Sequence, residues 1–185
     1  LIFNTPQSAG TTTISDGVLT VNSTLSSSVL VNPFGRLGGT GTVGSTVVNG
    51  TISPGNSAIG TLTVNGNYTQ NAGSNYQTQI NSAGQNDLIA VNGSAQINGG
   101  TVQVLPASGG IRRNQAFTIL SATGGVSGQY DGIFGSGIGY IETDLIYNPN
   151  NIQVLLTSDF KSLGGTFNQT SVENYLDTLV TAPGS

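Results

Sequence analysis

The sequence predicts an all-β fold, a right-handed parallel β-helix closed by a C-terminal β-hairpin cap and followed by a short terminal helix. Three observations carry that expectation. Short β-branched runs, such as Thr61–Val64, Asp87–Val91 and Thr101–Leu105, are broken repeatedly by Gly, Asn and Ser. These runs suit a pleated, half-buried surface, and the Asn-Gly pairs between them supply turn backbone. Similar pieces also recur at uneven spacing. Leu19-Thr20-Val21-Asn22 returns as Leu62-Thr63-Val64-Asn65, and Val-Asn-Gly occurs at 48–50, 64–66 and 91–93. A coil stack tolerates such unevenness, because the turns differ in length while the rungs stay in register. Finally, no helical period appears before residue 170.

Composition narrows the function. Four basic and eight acidic residues in 185 give a net charge of −4, and charged residues are 6% of the chain, against roughly a quarter in ordinary globular proteins. The basic residues are Arg36, Arg112, Arg113 and Lys161; they assemble no surface able to displace counterions from nucleic acid, so no nucleic-acid partner is expected. Histidine and cysteine are absent. That excludes a Ser-His-Asp or Cys-His centre, a thiolate metal site and a disulfide framework. No cofactor, metal or catalytic residue is expected, and the chain is read as non-enzymatic.

In chain order, residues 1–105 read as coils of the β-helix, with looser runs at Thr13–Ile14, Val18–Val21 and Val29–Val31 before the dense stretch from Ile52 to Leu105. Gly39, Gly41 and Gly44 spell G-x-G-x-x-G, but Thr46-Val47-Val48 after them reads as strand rather than as the helix start a pyrophosphate site needs, so they read as turn glycines. Residues 106–158 change character. A Gly-rich loop bearing Arg112 and Arg113 precedes a strand at Ala116–Leu120 and a short one at Val126–Tyr130. Asn148-Pro149-Asn150 then separates two further strand runs in the manner of a hairpin. Tyr130, Phe134, Tyr140 and Tyr147 supply the aromatics expected to cap the final rung, whose edge groups would otherwise lie unpaired. Residues 159–185 read as a linker. Thr170 and Glu173 fit a capping box, and Val172, Tyr175, Leu176 and Leu179 form the stripe of an amphipathic helix ending before Pro183.

The inward stripe of the stack, and its expected folding nucleus, is Leu62, Val64, Ile80, Ile89, Val91, Val102, Val104, Phe117 and Ile119. Other candidate chemistry has blander readings. Lys161 beside Ser162 lacks an orienting partner for a Ser-Lys site. Asp87, Asp131, Glu142 and Asp144 are spread over four segments and read as solvated surface carboxylates. Arg112 and Arg113 could meet an anionic glycan or simply solvate a loop. Tyr68, Tyr76 and Tyr130 could stack on sugars, or cover rung faces and cap the stack.

Three segments together resemble the C-terminal passenger region of bacterial type V autotransporters. They are GTGTVGSTVVNGTISPGNSAIGTLTVNGNYTQNAGSNYQTQI; DLIAVNGSAQINGGTVQVL followed by AFTILSATGGVSGQY; and GGTFNQTSVENYLDTL. The resemblance implies a membrane-proximal stalk on the bacterial surface that carries the autochaperone region. Its own outer-membrane β-barrel would be its partner, lying outside this chain and anchoring it through the outer membrane. The segment nearest the barrel would fold first and template the preceding rungs. Two rival readings stand beside this one: an adhesin module that binds host glycan or protein, and a β-helical polysaccharide-degrading enzyme.

Overall fold

The computed structural model describes residues 1–3, 5, 10–55, 57–107, 114–135 and 141–158. All regular structure among them is β, and the chain winds as successive coils of a parallel β-helix. β1 (Ile2–Phe3), β2 (Thr11–Val21) and β3 (Thr24–Leu25) begin the winding. β4 (Ser28–Gly39) and β5 (Thr42–Val43) make the next coil. Three full coils follow. They are β6 (Thr46–Val48), β7 (Thr51–Pro54) and β8 (Thr61–Val64); β9 (Tyr68–Asn71), β10 (Asn75–Ile80) and β11 (Leu88–Val91); and β12 (Ala95–Asn98), β13 (Thr101–Pro106) and β14 (Gln115–Ala122). β15 (Val126–Gln129) and β16 (Gly132–Gly135) start another, and β17 (Ile141–Asn148) with β18 (Asn151–Ser158) closes the described residues.

Each coil presents three faces. On the first, β15, β12, β9, β6 and the start of β4 pair in parallel; on the second, the end of β4 continues through β7, β10, β13 and β16. β4 thus serves both faces, pairing through Val29–Val31 with β6 and through Arg36–Gly39 with β7. β2 does the same beneath it, with a register shift between Ile14 and Asp16. These two strands are 11 and 12 residues long, whereas the sequence pattern suggested separate runs of three to five residues. Pairing continues through the bend, where Gly17 takes a φ of 78°, so the corner is a bulge rather than a break. The third face is β3, β5, β8, β11 and β14.

Parallel register places like residues above one another, and the core is built as columns. Leu37, Ile52, Tyr76, Val102 and Ile133 form one. Leu62, Ile89 and Leu120 form another. Alternation along each strand does the sorting: β10 reads buried at every second residue, as a period of two requires. Bulk is balanced between coils, since the fully buried Tyr68 sits between Thr46 and Ala95 in its column. All nine residues of the sequence-derived inward stripe are buried, none more than 2% exposed.

Parallel pairing continues beyond residue 105, through β11 with β14, β12 with β15 and β13 with β16. Only the last two strands run antiparallel, β18 on β14 and β17 on β18. A register irregularity between Thr118 and Leu120 accompanies the burial of both Ile119 and Leu120, and from Leu120 onward β14 pairs with β18 on one edge and β11 on the other. The helix expected at residues 170–179 lies outside the described residues, as do Arg112, Arg113, Tyr140, Lys161 and Ser162.

Candidate functional site

The C-terminal end of the stack is closed by the β17–β18 hairpin. Its two-residue turn is Pro149-Asn150, and that turn is pinned to the last coil from both sides. Ala122 N–H donates to the Asn150 carbonyl (2.8 Å), Val126 N–H to the Pro149 carbonyl (2.8 Å), and the Asn150 amide to the Ala122 carbonyl (3.0 Å). Ile152, Val154 and Leu156 extend the core from β18 with no exposed surface. Of the aromatics expected at the cap, Tyr130 is buried and its N–H donates to the half-buried Tyr147 hydroxyl (3.0 Å). Phe134 is 45% exposed.

Inside the stack runs a short polar network. Gln70 occupies a core column between Val48 and Ile97. Its side-chain carbonyl accepts from the Tyr68 hydroxyl (2.5 Å) and the Tyr130 hydroxyl (3.2 Å), while its Nε2 has no partner. The Tyr76 hydroxyl donates to the Ile119 carbonyl (2.6 Å). Burial pushes the pKa of all three phenols up, and their mutual proximity raises those of Tyr68 and Tyr76 further. Tyr68 and Tyr76 therefore cannot stack on sugars, since both are fully enclosed.

Asp87 corrects the reading of surface carboxylates: its side chain is buried. Oδ1 accepts from Gly60 N–H and Oδ2 from Gln79 N–H, both at 2.8 Å, so one carboxylate joins two successive coils. Burial pushes its pKa up to about 6, partly offset by those two backbone amides. The sequence hid this role because Asp87 reads as the polar start of the Asp87–Val91 strand run; in the fold it follows directly on the Ile80–Asn86 bridge. Asp131, Glu142 and Asp144 are exposed, and the Asp131 carboxylate accepts from Gly100 N–H (2.7 Å).

Gly39, Gly41 and Gly44 are close-approach glycines. A Cβ on them would stand 2.1, 2.1 and 2.4 Å from the carbonyl oxygens of Val21, Ser23 and Ser27 in the preceding coil. Strand β6 follows, so no helix terminus faces an anion there.

On the outside of the second face, a groove crosses the strands. One stretch, of about 430 Å³, passes Arg36, Ser53 and Pro54; the next, of about 640 Å³, passes Asn81, Gln85 and Pro106; Ser57 and Gln79 line both. Among the described residues no group of three or more His, Cys, Asp or Glu is placed to hold a metal ion, and no helix is long and apolar enough to cross a membrane.

Two known proteins are similar in sequence to this chain. The chain is 33% identical over 184 residues to an extracellular serine protease of Serratia marcescens, a match covering 92% of this chain and 17% of the protease. It is 34% identical over 104 residues to the adhesin BmaC autotransporter of Brucella suis biovar 1 (strain 1330), covering 52% of this chain and 3% of the adhesin. The chain thus spans less than a fifth of the length of either relative. No family model matches it.

Proposed function

We propose that this chain is a membrane-proximal segment of an autotransporter passenger, whose capped end folds first and templates the remaining coils during surface display. The observation that carries the reading is the hairpin pinned over the final coil. An isolated coil fixes many residues for little buried area, so a stack needs a preformed end on which to grow. β18 supplies that end with Ile152, Val154 and Leu156, and it completes β14, whose other edge receives β11. The similarity to an extracellular protease and to an autotransporter adhesin supports the setting. Its small share of each relative suits a supporting segment shared by passengers that act differently. On this reading the partner is an outer-membrane β-barrel on the same polypeptide.

A matched pair of cavity variants tests the reading. Val154→Ala in the hairpin and Val29→Ala near the N-terminal end remove the same two methyl groups from buried positions. The first should slow refolding in proportion to its loss of stability; the second should leave the refolding rate unchanged and accelerate unfolding. Joined to a barrel, the Val154→Ala passenger should also reach the surface in lower yield. Equal effects on refolding, or slower refolding for Val29→Ala alone, would overturn the order of folding.

A further inference from the structure

We propose that the groove across the second face binds an extended acidic oligosaccharide, with a sugar carboxylate or sulfate at Arg36 and sugar hydroxyls at Gln79 and Gln85. The inference is independent of the folding role. It starts from the chemistry of the lining: apart from Arg36, its described residues are amides, hydroxyls and small apolar faces with no carboxylate among them, although the chain as a whole carries a charge of −4. Asp16, the nearest acid along β2, lies outside it, two positions before Val18. The buried Asp87 carboxylate lies behind the lining, against Gly55 and Gln79, and is held by the Gln79 and Gly60 amides.

Arg36 has one hydrogen bond, from a terminal nitrogen to the Ser53 hydroxyl (3.0 Å), and no ion pair with a carboxylate among the described residues. A guanidinium presents five donors in a fixed fork that matches carboxylate or sulfate geometry. Ser53 holds one donor, which orients the side chain without neutralising it. An anion arriving there gains a partner that the protein itself does not provide.

The shape selects a glycan over other extended ligands. β7 and β10 are each paired on both sides, so a peptide could add no strand and would leave its own amides unmet. A nucleic acid would need several cations along the groove, and Arg36 is the one basic residue among the described residues of the lining. A sugar chain brings its own donors and acceptors to Gln79 and Gln85, and lays a ring CH face on the exposed Pro106. Coils repeat every ~4.8 Å along the groove, a spacing comparable to the residue repeat of an extended pyranose chain, so successive sugars meet successive rungs.

The test titrates the 185-residue chain with a sulfated heparin-derived hexasaccharide and, separately, with uncharged maltohexaose, using calorimetry and amide NMR at low salt. Expected are binding of the sulfated probe, weakening as salt is raised, and shifts confined to the groove segments near Arg36, Ser53–Gly55, Ser57, Gln79–Asn81 and Pro106. Arg36→Gln should weaken binding about tenfold or more, the scale of a lost hydrogen bond to a charged group. Ser53→Ala, which removes the orienting bond and keeps the cation, should retain most of the affinity. No binding at millimolar probe, equal binding of maltohexaose, shifts elsewhere on the chain, or full affinity in a folded Arg36→Gln variant would each overturn the proposal.

Discussion

Asp87 shows what a single side chain contributes when a coil must be tied to its neighbour. Its carboxyl serves two backbone amides from different coils, and its own carbonyl accepts from the Asn86 amide (2.7 Å). The ionisable group packed nearest is Tyr76, whose hydroxyl stands 3.5 Å from that carbonyl. Because the folded pKa lies near 6, above the ordinary 3.8, the unfolded chain gives up its proton first as pH rises. The contribution of Asp87 to stability is therefore complete below pH 3.8 and declines as pH passes through about 6. Urea midpoints at pH 4, 5, 6 and 7 should fall across that window, and Asp87→Asn should flatten the slope. The same variant should lower stability at every pH, since an amide cannot accept both hydrogen bonds. At the alkaline end the signs add. Tyr68, Tyr76 and Tyr130 are held neutral by burial while their unfolded counterparts ionise near pH 10. The fold should lose stability steeply above that pH, with phenolate absorbance appearing only as the coils open; phenolate in the intact fold at pH 10.5 would contradict this.

At the scale of the element, the coils are bound by side-chain ladders as well as by strands. Asn71 donates to Asn49 (2.8 Å) and accepts from Asn98 (3.0 Å), so three amides stack along one corner. Asn71→Ala removes both bonds at a half-buried site and should cost about 1–2 kcal/mol, read from denaturant midpoints. Asn98→Ala, at the exposed end of the ladder, should cost less. This corner also shows where the sequence stops being readable. The Val48-Asn49-Gly50 triplet lies at the ladder, between the first and second faces, whereas Val64-Asn65-Gly66 and Val91-Asn92-Gly93 follow third-face strands. Leu19–Asn22 and Leu62–Asn65 are the same four residues, yet one runs along the end of β2 on the second face and the other along β8 on the third. Local sequence specifies strand-then-turn and which residues point inward, because alternation is a property of a few neighbours. It does not specify the face, because that depends on how many residues the intervening loops take up. Registers show the loops lengthening: Arg36 and Thr51 in adjacent coils are 15 residues apart, Thr46 and Tyr68 are 22, Tyr68 and Ala95 are 27, and Thr101 and Gly132 are 31. The groove and the Asp87 tie were invisible for the same reason. The groove joins strand residues of successive coils and the Asp87 tie joins the Gly60 loop to β10 of the next coil, and Arg36, Ser53 and Gln79 share no sequence motif.

For the whole molecule, a stack in which each coil touches only its neighbours has a stability that varies along its axis. A coil in the middle is held from both sides; a coil at an end is held from one. The two ends of this chain differ in how that edge is treated. At the C-terminal end the hairpin adds two antiparallel strands and three fully buried side chains. At the N-terminal end β1 pairs through two residues, and on the third face β3 also pairs through only two. Core size adds to the gradient: the coil of β2 and β3 buries Ile14, Leu19, Val21 and Leu25, whereas that of β12, β13 and β14 buries Ala95, Ile97, Val102, Val104, Phe117, Ile119, Leu120 and Ala122, and with them more apolar area. Opening should therefore begin at β1–β3 and move inward. Native-state hydrogen exchange in increasing denaturant reads this directly. The amide of Leu25 should exchange through partial openings of low free energy. Those of Ile89, Val102 and Leu120 should exchange only through global unfolding and share one denaturant dependence. Exchange at a single common free energy along the chain would mean that the coils open as one unit, leaving no intermediate in which a folded C-terminal end could serve as template. A gradient rising toward the hairpin would supply that intermediate, with its growing edge at the N-terminal side of the stack.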